Sequence, residues 1–181
     1  HYPGCGVGGH CIPVDPYYIL ELAKDKGIEM KVVKDGLEEN ERMPFFVAEK
    51  VQENYKKGMS VLVYGITYKK DVADIRESPV KVFCDILNEK NISFSVYDPL
   101  IPKEEIKKLG FVSGDLRKVD ILIVGTDHSA LAKDYSKIKN PSLRRSSEEN
   151  EKIRAEQIKT IIENQKEFIA NIDSEGNTII F

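Results

Sequence analysis

The chain has 181 residues, 41% hydrophobic and 31% charged, with a formal net charge of −3 at pH 7. Acids and bases are interspersed, so no basic footprint exists for nucleic acid or an anionic membrane, although one small phosphate-bearing molecule is compatible. No apolar run approaches the roughly 18 residues that span a bilayer. The three cysteines, Cys5, Cys11 and Cys84, lack zinc-site spacing, which suits a reducing, cytoplasmic compartment with free thiols and no metal centre.

Residues 1–15, with HYPGCGVGGHC at their start, read as a loop, because glycines open backbone angles closed to other residues. Pro16 and the following YYILELAKDKG predict a short helix, with Asp15 as cap and Gly27 as terminator. From about Ile28 to Tyr55 the pattern is helical, Val47, Ala48, Val51 and Tyr55 falling on one face, with a kink or restart near Met43 caused by Pro44. MSVLVYGITY predicts a strand buried on both faces, as in a parallel sheet. SPVKVFCDILNEK predicts a helix with Ser78 as cap, Pro79 in its first turn, and Val80, Phe83 and Leu87 on its apolar face. ISFSVYDP follows as a strand, PKEEIKKLG as a short helix ended by Gly110, and VDILIVGT as a second strongly apolar strand. This alternation predicts right-handed crossovers and a parallel sheet with helices on its faces. Beyond Pro141 the expectation is a long solvated helix with a narrow apolar stripe (Ile158, Ile161, Ile162 and Ile169), then two short strands. The domain boundaries read as 1–57, 58–141 and 142–181.

Cys11 lies in the glycine-rich loop just before a predicted helix start, where backbone N–H groups favour a thiolate. Asp15, four residues on, is placed to steer a proton or a water. The alternative, a small buried apolar cysteine, is equally open on spacing alone. His10 reads more readily as a loop hydrogen-bonding residue than as a partner of Cys11. Gly4, Gly6 and Gly9 match GxGxxG spacing, but no strand precedes them, so the dinucleotide fingerprint is rejected. TYKKDVADIRESP (67–79) follows the carboxyl end of a predicted central strand, where open α/β sheets bind ligands. Lys69, Lys70 and Arg76 there suit a diphosphate. Equally, Asp71, Asp74 and Glu77 are present to pair with those bases in a solvated loop.

Taken together, GVGGHCIPVDPYY (6–18), GITYKKDVADIRESP (65–79), YDP (97–99) and VDILIVGTDHSAL (119–131) resemble the UDP-glucose/GDP-mannose dehydrogenase family over roughly residues 1–140. They are closest to its branch that oxidises UDP-N-acetylhexosamines. The resemblance implies a Rossmann-like, parallel-sheet domain for the nucleotide sugar, preceded by a long helical segment that forms a homodimer. It implies NAD-dependent, four-electron oxidation of the sugar C6 alcohol to a carboxylate. In such enzymes a cysteine captures the C6 aldehyde as a thiohemiacetal, and the resulting thioester is hydrolysed. Cys11 falls on the nucleophile and Asp15 on the catalytic aspartate. Tyr68 and Lys69 fall at the nucleotide-sugar contact, and Arg76 near the cofactor phosphates. Gly6, Gly8 and Gly9 would lie against cofactor and substrate. The resemblance further implies that the N-terminal NAD domain is absent from this sequence and that the lone chain lacks dehydrogenase activity. Departures are Cys5, where the branch usually has proline, and SLRRSSEENEK, where a last strand is due.

Three functions compete: part of a UDP-sugar 6-dehydrogenase, an inactive UDP-sugar-binding or dimerisation module, and a thiol redox protein. The last is disfavoured because there is no CxxC and no nearby resolving cysteine except Cys5.

Overall fold

The computed structural model describes residues 4–117, 119–135 and 137. Helix α1 spans Asp15–Asp25, with Pro16 in its first turn. The predicted Asp15 cap is not formed: Val14 holds the N-cap position, no side chain caps the helix, and Asp15 is its first residue. There the carboxylate still complements the positive end of the helix dipole. Gly27 closes α1 as predicted, with Gly27 N–H donating to Lys24 C=O at 3.0 Å and Ile28 N–H to Ala23 C=O at 2.9 Å.

Helix α2 runs Lys31–Asn54 as one span through Pro44, so of the kink or restart expected near Met43 the restart does not occur. Pro44 removes one ladder donor, yet it is buried on the same face as Ala48 and Val51, and that packing keeps the helix continuous. The face meets α3 (Pro79–Glu89), whose Val80, Phe83, Cys84 and Leu87 join Ala48 and Val51 in one core. Each such fully buried large side chain contributes about 1.5–3 kcal/mol. Ser78 sits at the N-cap of α3 in an extended conformation, but its predicted capping bond is replaced: its Oγ donates to Ile66 C=O at 2.7 Å.

Strand β1 (Val61–Tyr64) is buried at all four positions. It is flanked by β2 (Phe94–Tyr97) and β3 (Ile121–Val124) in the order β2-β1-β3, both pairings parallel, with Val61 opposite Phe94 and Ile121. Helix α4 (Lys103–Lys108) lies between β2 and β3 in sequence, and α5 (Leu131–Tyr135) follows β3. Val63 faces the α2–α3 core, while Leu62 and Tyr64 face a second cluster with Leu116, Val119 and Leu131. A strand covered on both faces has no polar positions to alternate, which explains the continuous apolar run. β3 is less covered than its sequence predicts, all four of its residues retaining some exposure. No helix among the described residues is long and apolar enough to cross a membrane. The expected helix and strands of residues 142–181 lie outside the described residues.

Candidate active site

The chain leaves β1 for β2 on one side and returns to β3 on the other, so the crevice of this sheet opens at the carboxyl ends of β1 and β3. The loops leaving these strands touch through their backbones. A Cβ on Gly65, which has φ +78°, would lie 2.3 Å from the Thr126 carbonyl oxygen, so only glycine fits. Thr126 Oγ1 donates to Thr67 C=O.

Beneath this contact lies a buried polar network. Asp98, just past β2, accepts the Ile66 N–H at 2.7 Å through Oδ2 and the Leu100 N–H at 2.8 Å through Oδ1. His128, fully buried, accepts the Asp71 N–H at Nδ1 (3.0 Å). In the neutral ring its Nε2 therefore carries the proton, facing Asp98 Oδ2 at 3.2 Å and Thr67 Oγ1 at 3.1 Å. The Asp71 carboxylate accepts Ser129 Oγ–H and Ser129 N–H, bonds that hold it below the usual carboxylate range. Three loops from three strands are thus fastened through one imidazole.

The glycine-rich loop docks on this edge. A Cβ on Gly8 would sit 2.4 Å from the Glu77 carbonyl oxygen and 2.6 Å from Pro79 Cδ, while Gly9 lies buried under the Tyr68 ring. His10 Nε2 is 3.4 Å from Asp74 Oδ2, and its ring meets Tyr68 edge-on at 6.3 Å. Asp74 in turn grips Arg76, whose Nη2 is 2.7 Å from Oδ2, and this guanidinium holds the Asp74 carboxyl well below its ordinary range.

Cys11 is exposed, which removes the reading of it as a buried apolar residue. Its carbonyl accepts the Val14 N–H at 3.0 Å and the Asp15 N–H at 2.8 Å, closing a turn into α1. Cys5 and Cys84 are the buried thiols, and burial pushes Cys5 up to about 12. Asp15 and Lys69 are both exposed. Structurally, then, Gly8 and Gly9 meet Tyr68, and His10 links the loop to Asp74 and Arg76. The Cys11 thiol, the Asp15 carboxylate and the Lys69 ammonium make no hydrogen bond to one another among the described residues. In the 67–79 loop Arg76 is paired with Asp74, as the solvated-loop reading expects, while Lys69 has no ion pair among the described residues.

Three residues that organise the site were given no role by sequence reasoning. Asp98 stands directly after β2 in the YDP segment and His128 in the loop leaving β3 in the TDH segment, which was the available signal. Asn40, which holds Val7 of the loop, sits in a charged helical run with no signal.

Fold and site define an α/β domain with a thiol-bearing loop docked at the carboxyl edge of its parallel sheet. Residues 62–147 match the UDP binding domain of the UDP-glucose/GDP-mannose dehydrogenase family, and residues 1–42 match its central domain. With these matches spanning more than half of its length, the chain belongs to that family. It is 39% identical over 131 residues to UDP-N-acetyl-D-mannosamine dehydrogenase of Methanococcus vannielii, a match covering 70% of this chain and 30% of that protein. Among solved structures, UDP-N-acetyl-mannosamine dehydrogenase from Staphylococcus aureus aligns with TM-score 0.60 and 32% identity, over 81% of this chain and 37% of that one. UDP-glucose dehydrogenase from Pyrobaculum islandicum aligns with TM-score 0.64 and 27% identity, over 71% and 32%. The chain thus spans about a third of the length of the relatives it matches.

Proposed function

We propose that the chain is the nucleotide-sugar-binding part of a UDP-sugar 6-dehydrogenase acting on a UDP-N-acetylhexosamine, yielding a uronate for polysaccharide synthesis. The observation that carries the reading is the exposed Cys11 thiol on a loop docked against Tyr68, Glu77 and Pro79 at the crevice of the sheet. In this reading Cys11 attacks the C6 aldehyde to form the thiohemiacetal, and Asp15 handles the proton when water cleaves the later thioester. Lys69, without an ion pair among the described residues, meets the diphosphate, with Tyr68, Gly8 and Gly9 shaping the sugar site. Residues 1–57 carry the thiol loop and the dimerising helices, and residues 58–141 the UDP-sugar domain.

NAD is the cofactor this reading requires, and when bound it supplies the hydride acceptor. The described residues fit only its edge. Gly6 lies in the thiol loop, and Arg76, already gripped by Asp74, is the cation offered to its phosphates. In this reading the lone chain, offering NAD only that edge, transfers no hydride. Homodimerisation through α2 is supported by the exposure of Tyr18, Leu22, Ile28, Val32 and Phe45 on α1, α2 and the turn between them. A cytoplasmic location completes the reading. The same edge-only fit to NAD favours a second reading, an inactive UDP-sugar-binding and dimerisation module.

Cys11 alkylation by iodoacetamide, followed with and without a UDP-N-acetylhexosamine, tests the proposal, alongside an NADH assay. Protection of Cys11 by the nucleotide sugar is expected, with no NADH formed. Absence of protection at millimolar ligand would contradict the proposed site, and NADH formation would contradict inactivity.

A further inference from the structure

We infer that Asn40 is the positioning residue for Cys11, fixing the thiol loop to the helical core through a two-point amide clamp. The inference rests on the proposed role of Cys11. Val7 N–H donates to Asn40 Oδ1 at 2.7 Å, and Asn40 Nδ2 donates to Val7 C=O at 3.1 Å. A backbone N–H only donates and a carbonyl only accepts, so the amide has one possible orientation here. The pair repeats the hydrogen bonding of a sheet ladder, with a side chain in place of a strand.

The helix is built to receive the loop at this point. Pro44 stands four residues beyond Asn40 and has no N–H, so the Asn40 carbonyl lacks its helical donor. The loop comes in against that carbonyl: a Cβ on Gly6 would lie 3.1 Å from Asn40 O and 3.1 Å from Asn40 Oδ1. Pro44 is itself buried, and Ala48, on the same helical face, is fully buried in the core with Cys5. The clamp therefore ties the loop to the rigid side of α2.

Apolar burial does not perform this task at Val7, which is 51% exposed. Hydrogen bonds hold it instead. Cys5 is buried on one side of the clamp, and Gly9 and His10 contact Tyr68 and Asp74 on the other. Cys11 is the next residue, and its position follows from these fixed points. Asn40→Ala removes both bonds. Asn40→Asp keeps the acceptor for Val7 N–H but sets a carboxylate oxygen against Val7 C=O.

Two readouts test the clamp without any nucleotide sugar: hydrogen exchange at the Val7 amide and the rate of Cys11 alkylation by iodoacetamide. Asn54→Ala serves as control, because Asn54 caps its own helix by donating to Lys50 C=O. In Asn40→Ala, exchange at Val7 is expected to rise about tenfold, the size of effect of losing a typical net hydrogen bond. The alkylation rate is expected to change by about threefold or more, with Asn40→Asp intermediate and Asn54→Ala unchanged. Folded Asn40→Ala with unaltered Cys11 alkylation would overturn the inference, as would an equal change in Asn54→Ala. If Asn40→Ala does not fold, Asn40→Asp decides by the same readouts, and unchanged alkylation there overturns it as well. An intact clamp in a chain that binds no UDP-sugar would sink the proposed function alone.

Discussion

Two regions meet at the candidate site and are held by opposite means. The strand-end loops at Thr67–Asp71, Asp98 and Thr126–Ser129 are joined from within, through buried His128 and Asp98 above fully buried β1. The thiol loop is held from outside, through Asn40, the His10–Asp74 contact and close glycine packing. In the first region Thr67, Asp98, Thr126 and His128 are sealed from water, where a missing partner costs the full desolvation of the group left behind. In the second, water competes for every bond and each contact is worth less. The difference teaches that the strand-end loops are part of the stability of the domain, whereas the stretch from Val7 to Cys11, beyond core-buried Cys5, depends on contacts whose loss costs the domain little.

The largest effect that would sharpen this contrast is expected from Gly65→Ala. Its Cβ would collide with the Thr126 backbone at a positive φ, and urea unfolding is expected to show a loss of about 3 kcal/mol or more. His128→Leu keeps the volume but strands the Asp71 N–H and takes one partner each from Thr67 Oγ1 and Asp98 Oδ2, with an expected loss of roughly 2–3 kcal/mol by the same measurement.

Alkaline pH acts next. Burial raises the Cys5 and Cys84 thiols and Tyr64 above their ordinary values, so these groups stay neutral in the fold. Their contribution is complete below the ordinary thiol value of 9.0 and is lost as pH rises through their raised values in the fold, about 12 for Cys5. Melting temperatures followed upward from pH 8 should therefore fall above pH 9, and a flat profile would contradict the burial of these groups.

Gly8→Ala breaks the comparison from the other side. Its Cβ would press on Glu77 O and Pro79, displacing the thiol loop, so UDP-sugar protection of Cys11 is expected to vanish while global stability drops by less than about 1 kcal/mol. A large global loss would show that the loop is integral to the core. The smallest effect is expected at acid pH. The Asp115 carboxyl is lowered from 3.8 to about 2 by Arg117, so its contribution is present above pH 3.8 and fades as pH falls toward 2. Both side chains are exposed, and Asp115→Asn is expected to leave the melting temperature at pH 7 nearly unchanged.

Much of the fold was legible because its signals are local. The continuous apolar run of β1, the first-turn prolines at Pro16 and Pro79 and the terminating Gly27 each act within a few residues. At Pro44 the restart fails because the local penalty is overridden by burial of its face of α2. Ser78 and Asp15 marked helix starts correctly but not the bonds formed, since Ser78 Oγ found Ile66 C=O, an acceptor twelve residues away. In the candidate site, the glycine-rich loop before α1 could be read directly. Asn40 carried no signal and the TDH segment only marked His128's place, because their bonds join residues 33 and 61 positions apart and exist only once the chain has folded.

The central claim is that this chain carries a UDP-sugar site at the carboxyl edge of its sheet, with Lys69 on the diphosphate. Calorimetric titration of the chain with a UDP-N-acetylhexosamine, wild type against Lys69→Ala, tests it most directly. Binding that Lys69→Ala weakens by about 1–3 kcal/mol, the range for a charge-assisted contact, is the predicted result. No binding at millimolar ligand, or binding indifferent to Lys69→Ala, would contradict it.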